Sequence, residues 1–235
     1  MLYERKIDLI YCGVGNPSLD NFAISVGFLY GMRLPTSNKI PYDLFFADQD
    51  WKNPQLGKYR DSVLANGVKV CTVLDWEFEE QSDEVFSWIE ELSPLVGRLI
   101  VIPKIRGIID RIPPKYNGTE IVLGYSVPTG YGKTDVPESD FKNRPTHLLG
   151  GSPEKQLELY DKMNVVSADC NYISMKATKY CEFWNDKSVY TRKWKPVKDL
   201  LGAKLPDNCY TSFFLSCVNY MAAWNNKLGG IYYGV

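Results

Sequence analysis

The sequence contains one histidine, no C-x-x-C pair among six cysteines, no long apolar run and no excess of either charge. Each shortage excludes something. A lone His147 argues against hydrolases that need several His ligands or a Ser–His pair. Zinc wants Cys and His at close spacing, and Cys12, Cys71, Cys170, Cys181, Cys209 and Cys217 do not supply it, so no metal is expected. Four of these cysteines sit in or beside apolar segments, and no signal-peptide core precedes the run at Ile7. They read as free thiols packed as small hydrophobes. The longest apolar runs, such as 99–102 and 213–215, are too short to cross a bilayer, so a soluble, cytoplasmic protein is expected. Lys+Arg at 27 against Asp+Glu at 28 leaves a net charge of -1. Any nucleic-acid partner must then be held by a local patch.

What is present points to one globular domain spanning residues 1–235, since 45% hydrophobic and 23% charged residues suit a folded core. Short apolar strands are expected at 7–12, 44–47, 68–74, 98–102, 121–123, 146–149 and 165–168. Between them lie helical stretches: an apolar one at 22–32, weakened by Gly27 and Gly31, others near 59–66 and 153–163, and an amphipathic one at 82–92. In the last, Val85, Phe86, Ile89 and Leu92 share a face. Ser152-Pro153-Glu154 has the residues of a helix start: a capping hydroxyl, a proline in the first turn and an acid at the positive pole. Fully apolar strands alternating with helices imply a parallel sheet buried on both faces. The expectation is an α/β fold, a compact TIM-like (β/α) barrel with a C-terminal helical, aromatic segment; an open doubly wound sheet is the alternative. Within that last segment, 210–224 is helix-like and would close the barrel or form a homodimer contact.

Successive strands end in polar or glycine-containing clusters: Asp48, Asp75, Gly124-Tyr125-Ser126, Gly150-Gly151-Ser152 and Asp169. In a barrel all these ends face one mouth, so residues scattered in sequence converge. An Asp at one strand end is usually a turn or capping residue, but three on one side crowd charge into a pocket. At least one should then have a raised pKa and serve as acid or base near neutrality. Gly150-Gly151-Ser152 could hold a phosphate or base carbonyl through backbone N–H groups, or simply allow tight strand-to-helix packing. Gly13-Val14-Gly15 lacks the helix start and third glycine of a dinucleotide fingerprint. His147, inside a strand, reads as a satisfied core residue. The stretch 176–198 carries Lys176, Lys179, Lys187, Arg192, Lys193, Lys195 and Lys198, interleaved with Tyr180, Phe183, Trp184, Tyr190 and Trp194. It is either a solvated face with aromatic anchors or a surface on which cations meet phosphates and rings stack on unpaired bases.

The run Thr146-His147-Leu148-Leu149-Gly150-Gly151-Ser152-Pro153-Glu154, followed by Val165-Val166-Ser167-Ala168-Asp169-Cys170, resembles the tRNA-guanine transglycosylase superfamily. So do Phe46-Ala47-Asp48, Val73-Leu74-Asp75 and Leu123-Gly124-Tyr125-Ser126-Val127, which fall in the family's order. Gln49-Asp50-Trp51 and Asn171-Tyr172-Ile173 depart from its pattern, and its Cys₃His zinc subdomain has no counterpart. The reduced chain is most similar to the DpdA-type branch of phages and genomic islands, which places 7-deazaguanine bases in DNA. The resemblance implies a pentosyltransferase without cofactor or metal, in the host cytoplasm if phage-encoded. It implies Asp169 as nucleophile, Asp48 as acid and base, and Asp75 reading the N–H edge of the base. Gly124, Tyr125, Ser126, Gly150 and Gly151 would bind the base, and Tyr125 or Trp76 would stack on it. Lys176, Lys179, Arg192, Lys193 and Lys195 would contact nucleic acid. The implied partners are DNA, with tRNA as the alternative, and a 7-deazaguanine such as preQ0 or preQ1. A base-releasing DNA glycosylase or nucleosidase and a non-catalytic module binding a base or modified DNA stay open.

Overall fold

A computed structural model describes residues 7–13, 15–37, 40, 42–129, 134–186, 193–201 and 208–229. In chain order the elements are β1 (Asp8–Cys12), α1 (Pro17–Ser25), β2 (Leu29–Leu34), β3 (Phe46–Gln49), α2 (Leu56–Ala65) and β4 (Val70–Thr72). Then come α3 (Ser82–Leu92), β5 (Arg98–Val101), β6 (Lys115–Tyr116), β7 (Thr119–Ser126), β8 (Thr146–Leu149), α4 (Pro153–Tyr160) and β9 (Val165–Cys170). The chain ends in α5 (Tyr172–Tyr180), β10 (Glu182–Trp184), β11 (Trp194–Pro196), α6 (Lys198–Leu201) and α7 (Cys209–Lys227).

Strands β1, β2, β3, β4, β5, β7, β8 and β9 pair in parallel in that order, and β9 returns to β1, which closes an eight-stranded barrel. The doubly wound alternative is thereby excluded. β6 only extends β7 as an antiparallel hairpin, and β10 pairs with β11 outside the barrel. The barrel fits a short chain because several crossovers carry little helix. Single 3-10 turns, Ile109–Arg111 and Glu138–Phe141, stand where β5-to-β7 and β7-to-β8 helices would be.

Alternation along the strands separates two apolar layers. Ile10, Phe46, Val70, Ile100, Ile102 and Val122 point inward and fill the lumen. Their neighbours Tyr11, Ala47, Cys71, Leu99, Val101 and Leu123 point outward, into the shell under the helices. The N-terminal end of the lumen is crossed by Arg98, whose guanidinium donates to Asp8 and Glu120 at 3.0 Å each. An ionic floor, an apolar middle and a polar mouth follow one another along the axis.

One expected helix is corrected. Residues 22–32 do not form one helix: α1 ends at Ser25, Gly27 takes φ +102°, and the chain re-enters the barrel as β2. Gly31 explains the strand. A methyl group there would lie 2.8 Å from Ile10 and 2.9 Å from Phe46, so the glycine makes room in the lumen rather than loosening a helix. α1 starts at Pro17, capped by the Asn16 side chain, which accepts from the N–H groups of Ser18 and Leu19. The expected start of α4 is present: Ser152 accepts from the Lys155 N–H, with Pro153 in the first turn. On α3 it is Trp88, not Phe86, that joins Val85, Ile89 and Leu92 in burial.

The C-terminal helix does not close the barrel, a task done by β1 and β9. α7 lies outside, against α5, α1 and β10, and buries Phe213, Cys217, Tyr220 and Trp224. The Phe213 ring meets Tyr11 of β1 at 5.3 Å. No helix among the described residues is long and apolar enough to cross a membrane.

Candidate active site

The polar mouth is built where inward-facing strand positions switch from apolar to polar. Two residues after Phe46, β3 presents Asp48; two after Val70, β4 presents Thr72; two after Ile10, β1 presents Cys12. β9 brings Asp169 into register with Ile10 of β1. Asp169 keeps 12% of its side chain exposed, and three groups converge on its carboxylate. The Gly150 N–H donates to Oδ1 at 3.1 Å, His147 Nε2 meets the same oxygen at 3.1 Å, and the Cys12 thiol donates to Oδ2 at 3.5 Å. Burial pushes the Cys12 thiol well above its ordinary value, with Asp169 and Asp48 adding to the effect, so it stays a thiol and a donor.

Gly150 can offer its N–H because it turns left-handed, φ +62°, as does Gly151 at +87°. The glycines differ in what they allow. Nothing lies near the place of a Gly150 side chain, whereas one at Gly151 would overlap Val127. Gln156 of α4 then ties the turn to the strand, donating to the carbonyls of Gly150 at 2.6 Å and Asp169 at 2.8 Å. Its other amide atom, Oε1, accepts from the Tyr220 hydroxyl of α7.

Asp48 has its pKa raised from 3.8 to about 7, first by burial, then by the charge of Asp169 and, less, of Asp75. Arg33, facing it in register from β2, and the Thr72 hydroxyl, which donates at 3.2 Å, oppose the rise. Thr72 is itself held by the Gln49 N–H at 2.8 Å. Burial also raises Asp75, although Lys104 pairs with it at 3.2 Å. Lys104 reaches on to donate to Ser126 Oγ at 2.7 Å. The mouth therefore holds two unlike acids: Asp48, half protonated near neutrality, and Asp169, anchored by a backbone N–H and a histidine. A pair of that kind can divide nucleophile and proton-transfer work.

Of the expected site residues, Asp48, Asp75, Ser126, Gly150 and Asp169 share this mouth. Gly124 belongs to the β7–β8 ladder opposite His147, where a side chain would collide with Ile100, Ile102 and Leu149. The expectation that Tyr125 or Trp76 stacks on a base is corrected. Tyr125 alternates to the outer face, edge-on to Phe141, and Trp76 is fully buried against Phe86. The basic stretch is corrected in part. Phe183 and Trp184 are core residues, unavailable for stacking. Lys176 pairs with Glu182 at 3.2 Å and lies over the rings of Tyr180 and Trp194, Lys193 pairs with Asp186 at 2.6 Å, and Lys179 covers Tyr180. Lys195 lies on β11 beside Phe183 of β10. Lys187, Tyr190 and Arg192 fall outside the described residues.

Three site residues escaped the sequence. His147, read as core, is fully buried yet touches Asp169. Lys104 is a strand-end residue like Asp75 and could have been found by that rule. Arg33 directly follows the stretch 22–32 that the sequence suggests as helix. The Ser167–His147–Asp169 chain superficially resembles a serine hydrolase triad, but the serine is the sealed end. Ser167 is 1% exposed and bonds Nδ1 at 2.8 Å, while the aspartate faces the mouth.

A family profile described as a family of unknown function, DUF6610, matches residues 23–207. The chain belongs to that family. The matched span runs from within α1 past α6, so Asp48, Asp75, His147 and Asp169 all lie inside it, whereas β1 with Cys12 precedes it. Comparisons with curated proteins and with solved structures give no match.

Proposed function

We propose that this protein is a guanine transglycosylase that exchanges guanine in DNA for a 7-deazaguanine base. The observation that supports it best is the unlike carboxylate pair: Asp169 held by Gly150 and His147, beside Asp48 with a pKa of about 7. In this reading Asp169 attacks C1′ of the target deoxyribose. The C1′–N9 bond breaks, its electron pair leaves with guanine, and Asp48 supplies the proton that the departing base gains. A covalent Asp169–sugar ester results, as with the carboxylate nucleophiles of retaining glycosidases. The incoming base then gives its N9 proton to Asp48, attacks C1′ and releases Asp169. One glycosidic bond replaces another, so no external energy source is needed.

Asp75, oriented by Lys104, would accept from the N–H edge of a guanine-like ring and discriminate against adenine, which lacks that donor pattern. The target nucleotide would have to leave the base stack to bring C1′ to the lumen. Among the described lysines of 176–198, Lys176 and Lys193 are ion-paired, so their phosphate contacts would come at the expense of the Glu182 and Asp186 pairs.

The test is incubation with radiolabelled guanine and guanine-containing DNA or tRNA in parallel. Label should enter DNA, and Asp169→Asn should abolish its entry while the far-UV spectrum stays native. Label entering tRNA alone would move the substrate assignment. Base released without incorporation would mark a glycosylase. Normal exchange by Asp169→Asn would overturn the nucleophile assignment.

A further inference from the structure

The only histidine in the chain is completely buried, stacked at 5.3 Å and 28° on Phe46, in the lumen directly beneath the mouth. A buried imidazole there is unnecessary for packing, because the surrounding lumen is aliphatic and aromatic. Its bonds give the reason. A carboxylate only accepts, and Asp169 Oδ1 also takes the Gly150 N–H, so His147 must carry a proton on Nε2 and donate it. Nδ1 faces Ser167 Oγ at 2.8 Å, and that hydroxyl has no other partner to donate to among the described residues. The serine proton therefore points at Nδ1 and specifies the Nε2–H form.

We propose that His147 is a positioning residue for the nucleophile: it locks Asp169 Oδ1 through Nε2–H, leaving Oδ2 as the oxygen that attacks C1′. Ser167 sets the tautomer from below. The order is the reverse of a serine hydrolase, with the carboxylate reacting and the serine acting only as an orienting group. Two donors on Oδ1 fix the carboxylate plane. Among the described residues Oδ2 has only the Cys12 thiol, a weak donor at 3.5 Å, so little is lost when this oxygen turns to bond formation. This inference rests on reading Asp169 as nucleophile, but its geometric half can be tested without activity.

The solitary histidine makes that test direct. Protein labelled with nitrogen-15 histidine has one ring to observe, and at neutral pH its spectrum should show a protonated Nε2 and a bare Nδ1. Ser167→Ala should change the Nδ1 signal while Asp169→Asn changes Nε2–H. A proton on Nδ1, alone or together with Nε2, would overturn the assignment. Next, the rate of covalent adduct formation on guanine-containing DNA is measured for wild type, His147→Ala and His147→Gln. The alanine variant should lose about 100-fold in kcat with KM little changed, because misplacing a reacting group by about 1 Å costs roughly that much. Glutamine, whose amide N–H can reach Asp169, should recover part of it. Equal rates in wild type and His147→Ala would refute the positioning role. No adduct with wild type, alongside the expected NMR result, would instead refute the transglycosylase reading and leave the hydrogen-bond assignment standing.

Discussion

At the scale of single residues, Asp48 ties stability to pH. Its pKa lies at about 7 in the folded protein against an ordinary 3.8, so folding takes up a proton between those values. The stabilisation linked to it is full below about pH 4 and is lost as pH rises toward 7. The gap corresponds to at most about 4 kcal/mol, less what solvent at the mouth screens. Asp48→Asn keeps the acceptor for Thr72 and removes the titration. The variant should therefore gain stability over wild type as pH rises from 4 to 8, read from urea midpoints at each pH. A constant difference between the two proteins across that range would show that Asp48 does not titrate as its surroundings dictate. Asp48, Asp75 and Asp169 were recognisable from sequence because each ends an apolar strand. The protonation state of Asp48 was not, since it depends on burial and on two carboxylates distant in the chain. His147 is the satisfied core residue that the sequence suggests, buried with both ring nitrogens partnered, but its contact with Asp169 was not legible. A buried histidine and a functional one look alike until the partner of each ring nitrogen is known.

At the scale of elements, the turn from β8 into α4 shows how glycines that look equivalent in sequence do different work. Gly150 needs a positive φ so that its N–H points at Asp169, and space is open around it. Gly151 needs both a positive φ and the absence of a side chain beside Val127. Gly150→Ala should cost about 1–2 kcal/mol, the backbone penalty of a left-handed residue. Gly151→Ala should cost about 2–5 kcal/mol, because overpacking against Val127 adds to that penalty. Denaturant titration of the two variants checks this, and equal losses would mean that Val127 simply moves aside. The start of α4 was legible in advance, because Ser152 and Pro153 act on the backbone within a few residues of themselves. β2 was not. The apolar residues and two glycines of 22–32 fit a weak helix equally well, and only Ile10 and Phe46, brought alongside by the barrel, show that Gly31 is a packing glycine.

At the scale of the whole molecule, the outer helix α7 is coupled to the mouth by one buried chain. The Tyr220 hydroxyl donates to Gln156, and Gln156 holds the carbonyls of Gly150 and Asp169. Tyr220 also stacks on Phe28 at 5.8 Å, so the helix that follows the barrel braces both its shell and its site. Tyr220→Phe keeps the ring and strands the Gln156 oxygen without its donor. We expect a loss of about 1–3 kcal/mol in unfolding free energy, measured by urea denaturation. The proposed base exchange should fall with it, since the backbone carrying Asp169 is less firmly held. A variant as stable as wild type would detach α7 from the site. The sequence showed that 210–224 is helical and aromatic, but not what it covers, because an apolar helix face does not name its partner.

The sequence by itself determined that the chain builds a parallel α/β sheet with its acids at one end, whereas the pairing of β9 with β1 decided that the sheet closes into a barrel. Strand alternation with helices dictates parallel pairing, and parallel pairing sends every strand end to the same face. Tertiary structure alone decided which side chains touch there. It turned Tyr125 outward and Asp169 inward, sank Phe183 and Trp184 into the core, paired Lys104 with Asp75, and placed His147 under Asp169. These outcomes depend on the register between strands far apart in the chain and on the dielectric inside the closed lumen, and neither is written in any local run of residues.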